Sequence, residues 1–270
     1  MKTIVITGAS DGIGAEMARQ LAQSGGSQMA LVLTARNETL LAEVAAQCAA
    51  HGAQALVVKT DVSDPVQCRQ LMGRAISTYG RIDALINNAG ISAQALFAEV
   101  QTEDLHWYED LMRINLWGSV WCTHAALPHL KQSRGSIVAV SSLAGLVGVP
   151  GRTAYSASKF AMTGFFEALR AELKNAGVSV TTAYPGVVAT QIRYRGFNAA
   201  GRPAGASGLK EDDAMSVETC ARLILEAMNR REREVVMTAK GKLGRWLKLL
   251  MPGAVENIAL AALKDEVKPK

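Results

Sequence analysis

The chain has 270 residues, 49% of them apolar and 20% charged, which suffices for one substantial core and excludes an intrinsically disordered chain. Its formal charge of +5 comes from 29 basic and 24 acidic residues. The bases gather at 131–134, 193–202, 230–233 and in the last thirty positions, not in one continuous patch, so no nucleic-acid partner is expected.

KTIVIT (2–7) is a short β-branched run ending at Gly8, and a helix-compatible segment follows over 14–23. MALVLT (29–34) reads as the second strand, 38–51 as a helix, ALVVKT (55–60) as the third strand and 65–79 as another helix. DALINNAG (83–90) is a strand running into a turn. Helices are expected over 104–117 and 119–132, and strands at SIVAVS (136–141) and VSVTTAY (178–184), with a long helix over 153–175 between them. EVVMT (234–238) is the last expected strand. Near-continuous apolar strands alternating with helices predict an α/β fold: a doubly wound, mostly parallel sheet covered on both faces. No Pro/Gly-rich linker interrupts the alternation, so residues 1–270 are expected to form a single domain. The glycine-rich 196–208 belongs to a long loop, about 190–212, placed as a lid over a binding site.

Cys48, Cys68, Cys122 and Cys220 stand far apart, without CxxC or Cys/His spacing, and read as reduced thiols of a cytoplasmic protein. His51, His106, His124 and His129 form no constellation, and no metal site is expected. No apolar run reaches the length of a membrane span, and a first strand starting at Lys2 leaves no room for a signal peptide.

Gly8, Gly12 and Gly14 lie between the first strand and its helix, where small residues admit a pyrophosphate and orphan helix amides complement its charge. Asp11, inside that turn, is expected to project toward solvent. A site for NAD wants an acid after the second strand to hold the ribose hydroxyls. Here Thr34 and Ala35 lead instead to Arg36, which can clamp a 2′-phosphate, so NADP(H) is favoured over NAD(H) unless Arg36 merely caps the sheet edge. Asp61, followed by Val62, closes the third strand where an adenine would lie, and it can equally begin the DVSD turn. Asn87 and Asn88 can stitch adjacent strands, with Ala89 and Gly90 giving room beside a cofactor.

Tyr155 and Lys159 are four residues apart in YSASK, one face of a helix, and Ser142 ends an apolar strand thirteen residues earlier. Carbonyl reduction needs hydride on carbon and a proton on oxygen. Tyr155 is the expected proton donor, Lys159 the cation that favours its phenolate, and Ser142 a donor to the substrate oxygen. Taken singly, a tyrosine on an apolar helix is core, a lysine is solvated and a serine caps a turn; the three together point to hydride transfer.

These residues resemble the classical short-chain dehydrogenase/reductase family. TGASDGIG matches its nucleotide-binding turn, NNAG its fourth-strand motif, Asn115 in MRINLWG its helix asparagine, Ser142, Tyr155 and Lys159 its catalytic group, and Pro185-Gly186 its post-strand motif. The likeness is dense over 1–190. It implies a Rossmann-type fold and cofactor contacts from Gly8, Ser10, Gly12, Ile13, Gly14, Arg36, Asp61, Val62, Asn87, Ala89, Gly90, Tyr155, Lys159, Pro185, Gly186, Val188 and Thr190. It also implies ribose contacts by Lys159, carboxamide contacts by Val188 and Thr190, and a water held by Asn115 that continues a proton path from Lys159. Many NADP(H)-preferring members carry a basic residue in the glycine turn, where this chain has Asp11. TAR, FFEALRAEL (165–173) and a basic apolar tail resemble more narrowly the microsomal-steroid-dehydrogenase-like and member 7B type reductases. Family likeness further implies a homodimer or homotetramer formed through helices 104–132 and 153–175.

The expected activity is an NADPH-dependent carbonyl reductase, reversible as an alcohol dehydrogenase. Leu143, Leu146, Ile192, Tyr194 and Phe197 would line a site for a hydrophobic ketone or secondary alcohol. Arg193, Arg195 and Arg202 are either solvated or attract an anionic substrate, such as an acyl group on a phosphopantetheine carrier. The alternatives are a 3-ketoacyl thioester reductase and a nucleotide-responsive binding or scaffold protein. In the tail, 240–270, Lys240, Lys242, Arg245 and Lys248 alternate with Leu243, Trp246, Leu247, Leu249 and Leu250. That stretch either closes a substrate pocket, its own or a neighbour's, or makes a peripheral membrane contact through 240–267.

Overall fold

Burial on both faces makes the strands almost wholly apolar. In β1 (Lys2–Thr7), Ile4 and Ile6 enter one core while Val5 enters the other; in β2 (Met29–Ala35), Leu31 and Leu33 oppose Val32 in the same way. β3 (Gln54–Lys59), β4 (Ala84–Asn87), β5 (Ser136–Val140), β6 (Ser179–Tyr184) and β7 (Glu234–Val236) complete a seven-stranded sheet in a computed structural model that describes residues 1–264 and 268. All pairs are parallel, in the order β3-β2-β1-β4-β5-β6-β7. The order reverses between β1 and β4. In a doubly wound sheet, ligands bind in the crevice at the strand ends beside such a reversal.

α1 (Gly12–Gly25), α2 (Glu38–Ala50) and α7 (Val217–Asn229) cover one face through Met17, Leu21, Leu41 and Ile224. α3 (Pro65–Tyr79), α5 (Gly118–Ser133) and α6 (Thr153–Glu172) cover the other through Leu71, Cys122, Leu130 and Phe166. This is the expected Rossmann-type, doubly wound α/β architecture. Local chemistry sets the helix starts: Asp11, Asn37, Asp64 and Ser216 each accept a backbone N–H as N-cap. All four cysteines are buried and unpaired by disulfides.

Boundaries differ from the sequence reading where a side chain intervenes. Asp11 caps α1, so the helix starts at Gly12 and not at residue 14; Asp11 also pairs with the lid residue Arg195 at 3.0 Å. α4 (His106–Met112) runs through a π turn, Arg113–Trp117, straight into α5, joining two expected helices into one rod. The long helix ends at Glu172, before a 3₁₀ turn. The last strand stops at Val236 because Thr238 turns away from the sheet to cap α8 (Ala239–Leu250), accepting from Gly241 N.

Residues 190–212 carry no helix or strand and form a long irregular segment. Phe197 exchanges backbone hydrogen bonds with Ser92 and Gln94, and Leu209 bridges to Leu263. The tail behaves as two different pieces. α9 (Pro252–Ala261) and Leu263 close on this segment, with Leu263 buried and Lys210 N bonded to Ala262 O. α8 does the opposite: Leu243, Trp246, Leu249 and Leu250 are 65%, 67%, 72% and 82% exposed, so these residues do not cover a pocket of their own chain. The tail positions 265–267 and 269–270 lie outside the described residues. No helix among the described residues is long and apolar enough to cross a membrane.

Candidate active site

The glycine turn is shaped by contact with the end of β4. A Cβ on Gly14 would stand 2.2 Å from Gly8 O, and one on Gly8, itself at φ +66°, would stand 2.8 Å from Ala89 Cα. Thr7 Oγ1 accepts from the amides of Asn88 and Ala89 at 3.0 Å each, while Asn88 Nδ2 donates to Thr7 O and Gly8 O. Asn88 therefore does the stitching that was expected of both asparagines. Asn87 turns instead to Thr123 Oγ1 on α5, at 2.9 Å, and its Oδ1 has no partner among the described residues. Ser10 and Ile13 are half-buried on the same turn.

Around this cradle, Arg36 is exposed immediately after β2. Asp61 Oδ1 accepts from the amide and hydroxyl of Ser63, at 2.9 and 2.7 Å, so Asp61 does begin the DVSD turn. Val62 is buried against α3 and α5. Pro185 O accepts from Leu143 N at 2.9 Å, tying the segment after β6 to the segment after β5; Gly186 follows beside Thr238. Val188 is buried, and the Thr190 methyl comes within 3.3 Å of where a Gly12 side chain would begin.

Tyr155 and Lys159 occupy successive turns of α6, both buried, with Lys159 Nζ 5.8 Å from the tyrosine ring centre. Ser142 lies just beyond β5 in extended backbone; its hydroxyl accepts from Ala144 N at 3.2 Å and is close enough to Tyr155 to lower the phenol's pKa. Burial pushes the Tyr155 phenol above its ordinary pKa, opposed first by Arg152, then by the Ser142 hydroxyl and by Arg193. Lys159 donates to Val140 O at 2.9 Å. Asn115 sits fully buried in the π turn, a widened turn of the kind frequent at functional sites. Its Oδ1 accepts from Ile91 N and its Nδ2 donates to Ile91 O and Ser158 Oγ, clamping the segment after Gly90 to α6. A side chain on Gly90 would begin 3.0 Å from Asn115 Oδ1 and 3.6 Å from Lys159 Nζ, so these three residues converge.

Arg152 and Glu211 escaped the sequence reading. Arg152 stands three residues before Tyr155, a helical-face spacing that was the available signal, and it lies over the tyrosine ring with Cζ 5.4 Å from its centre. Arg193, read as a solvated or substrate-attracting lid residue, is buried and ties together residues between 188 and 211. It bonds Glu211 at 2.6 Å, Ser207 at 3.1 Å and Val188 O at 3.0 Å. Arg195, Arg202 and Ile192 are exposed.

Burial pulls the Lys159 pKa from 10.5 to about 8. Between those values the unfolded chain binds the proton that the folded chain has released, so this residue makes stability rise with pH across the window. Below about 8 its full burial cost, on the order of 3 kcal/mol, opposes folding. Lys159→Met should therefore stabilise the cofactor-free protein at pH 7 and remove that rise. Chemical denaturation of both proteins from pH 7 to 10.5 checks it; parallel profiles would refute it.

The family model described as short chain dehydrogenase matches residues 2–199. An 11-beta-hydroxysteroid dehydrogenase A of Sesamum indicum is 36% identical over 94% of this chain and 73% of its own length. Dehydrogenase/reductase SDR family member 7B of Mus musculus is 32% identical over 99% and 83%. Among solved structures, a Burkholderia phymatum short chain dehydrogenase/reductase in complex with NAD superposes with TM-score 0.79 at 27% identity, covering 92% of this chain and 94% of that one. An alcohol dehydrogenase of Thermococcus sibiricus complexed with 5-hydroxy-NADP gives 0.73 at 25% identity, covering 87% and 95%. The matched span holds the glycine cradle, the β4 exit and the Ser142–Tyr155–Lys159 group, and with it the chain belongs to the short-chain dehydrogenase family of oxidoreductases.

Proposed function

We propose that this oxidoreductase is an NADPH-dependent carbonyl reductase, formally reversible as an alcohol dehydrogenase, acting on a hydrophobic ketone or secondary alcohol. The observation that carries the reading is the meeting of Ser142, Tyr155, Lys159 and Asn115 at the strand ends, one residue group from each of β5, α6 and the π turn. The cradle fits a dinucleotide: a Cβ at Gly8 or Gly14 would collide with backbone, which keeps this wall free of side chains beside the amides that open α1. Gly8, Ser10, Gly12, Ile13 and Gly14 would hold the phosphates, Arg36 a 2′-phosphate, Asp61 and Val62 the adenine, and Asn87, Ala89 and Gly90 the neighbouring ribose. Pro185, Gly186, Val188 and Thr190 would border the nicotinamide. The nicotinamide supplies the hydride.

Tyr155 gives the proton to the carbonyl oxygen, and Ser142 donates a hydrogen bond to the same oxygen as charge grows there. Lys159, buried beneath them, holds the ribose and passes a proton onward. Asn115 keeps the loop after Gly90 in register with α6 and extends the path toward solvent. Replacement of the Tyr155 hydroxyl is the decisive experiment, argued in the Discussion.

The protein is further proposed to form a homodimer or homotetramer and to work in the cytoplasm. The exposed face of α8, apolar residues beside Lys240 and Lys242, supports peripheral contact with an anionic membrane. Trp246 fluorescence should shift to the blue on adding anionic vesicles, with an effect that weakens in salt and vanishes in Leu250→Glu. An unchanged spectrum in the wild-type protein would reject the contact.

A further inference from the structure

Arg152 opens α6 and is 7% exposed, yet its Nε and Nη2 meet no hydrogen-bond partner among the described residues. A guanidinium remains charged at neutral pH even where burial lowers its pKa to about 10, so its donors require an acceptor. The other buried or half-buried guanidiniums have one. Arg170 donates to Val180 O and Thr182 Oγ1, and Arg193 to Glu211, Ser207 and Val188 O. Glu211, through its second oxygen, takes the Tyr194 hydroxyl at 3.4 Å and serves as the counter-ion of Arg193, which is 5% exposed. Among the described residues, two cations and one carboxylate leave Arg152, over the ring of Tyr155, without an ion-pair partner of its own. Stacking on that ring offsets part of the lost hydration and satisfies none of the N–H groups.

Nε and Nη2 form one edge of the guanidinium, spaced to meet both oxygens of a carboxylate. Arg81 uses the same two atoms on Asp83, at 2.9 and 2.6 Å. We propose that Arg152 is an oxyanion subsite of the substrate pocket and that the substrate is a hydrophobic keto acid, or the corresponding hydroxy acid. On binding, the Arg152 side chain, whose Nε and Nη2 are closed to solvent in the free chain, swings to take the substrate's carboxylate while its carbonyl is presented to Tyr155. This rests on the carbonyl-reductase reading and narrows it, and it gives the reacting group a fixed distance from a charged anchor.

The test separates the two. Calorimetric titration of the full chain saturated with NADP⁺, using 4-phenylbutyrate and its uncharged amide, needs no turnover. The acid should bind at least ~10-fold tighter than the amide, a margin expected of a charge-assisted bidentate contact. Arg152→Met should erase the difference and Arg152→Lys should keep part of it. Equal binding of acid and amide by the wild-type protein, no measurable binding of either, or an acid preference that survives Arg152→Met would each overturn the subsite. Reduction of 3-benzoylpropionate and of its methyl ester is then assayed with NADPH. An acid preference in binding without reduction of either ketone would leave the subsite standing and remove the carbonyl-reductase reading.

Discussion

Tyr155→Phe is expected to lower the turnover of any accepted ketone by at least ~10², with NADPH affinity changed no more than a few fold. The substitution deletes one oxygen from a buried ring. That oxygen is the proton donor proposed for the carbonyl, and the Ser142 hydroxyl nearby lowers its pKa. The ring's own packing in α6 and its contact with Arg152 survive the change. Most groups proposed to hold the cofactor stand elsewhere, on the glycine turn, after β2 and at the exit of β4, which is why affinity and chemistry should separate. Titrating NADPH fluorescence and assaying a panel of hydrophobic ketones reads both quantities on one preparation. Turnover retained within tenfold would sink the proton-donor assignment and, with it, the proposed mechanism.

The sheet was legible because parallel strands buried on both faces leave almost no polar residue to obscure them. Val5 between Ile4 and Ile6 illustrates it: each faces a filled layer, so the whole run is apolar. Caps were less legible. Asp11, expected to project toward solvent, is exposed, but its carboxylate also accepts from Gly12 N at 2.7 Å and pairs with Arg195. The second partner lies across the crevice and leaves no local trace in sequence. The join of α4 and α5 was hidden for another reason. Asn115 is a poor residue for a helix interior, and a π turn relieves it by aiming the side chain at the backbone of Ile91.

The placing of the proposed catalytic group was legible as spacing, and its surroundings were not. Four residues on a helix place Tyr155 and Lys159 on one face whatever the rest of the chain does. Arg152 obeys the same rule at three residues, but the meaning of that position depends on Arg193 and Glu211 in an irregular segment, whose path no periodicity announces. The alternation of lysine and leucine in α8 correctly implied an amphipathic helix. Which side it shows to the protein depends on Gly241 lying against Leu143 and on Lys248 reaching Leu146 O, both distant in sequence.

Arg36→Ala is expected to weaken NADPH by about 1.5–3 kcal/mol, the range for a hydrogen bond to a charged group, while changing NADH much less. No acid stands at the end of β2, where a carboxylate would hold the ribose diol of NAD and repel a 2′-phosphate. The glycine turn adds no cation of its own: its one charged residue, Asp11, already has Arg195 as counter-ion. Discrimination between the two cofactors should then rest mainly on Arg36. Because that side chain is exposed, its contribution is screened, and the wild-type preference for NADPH should narrow as ionic strength rises. Arg36→Asp should go further than alanine and invert the preference, adding repulsion of the phosphate to a carboxylate that can take the diol. Dissociation constants for both cofactors, at low and high salt, check the series. Equal losses for NADPH and NADH in Arg36→Ala, or a wild-type protein that prefers NADH, would show that the 2′-phosphate is not held here, and the proposed cofactor would change while the chemistry at Tyr155 stood.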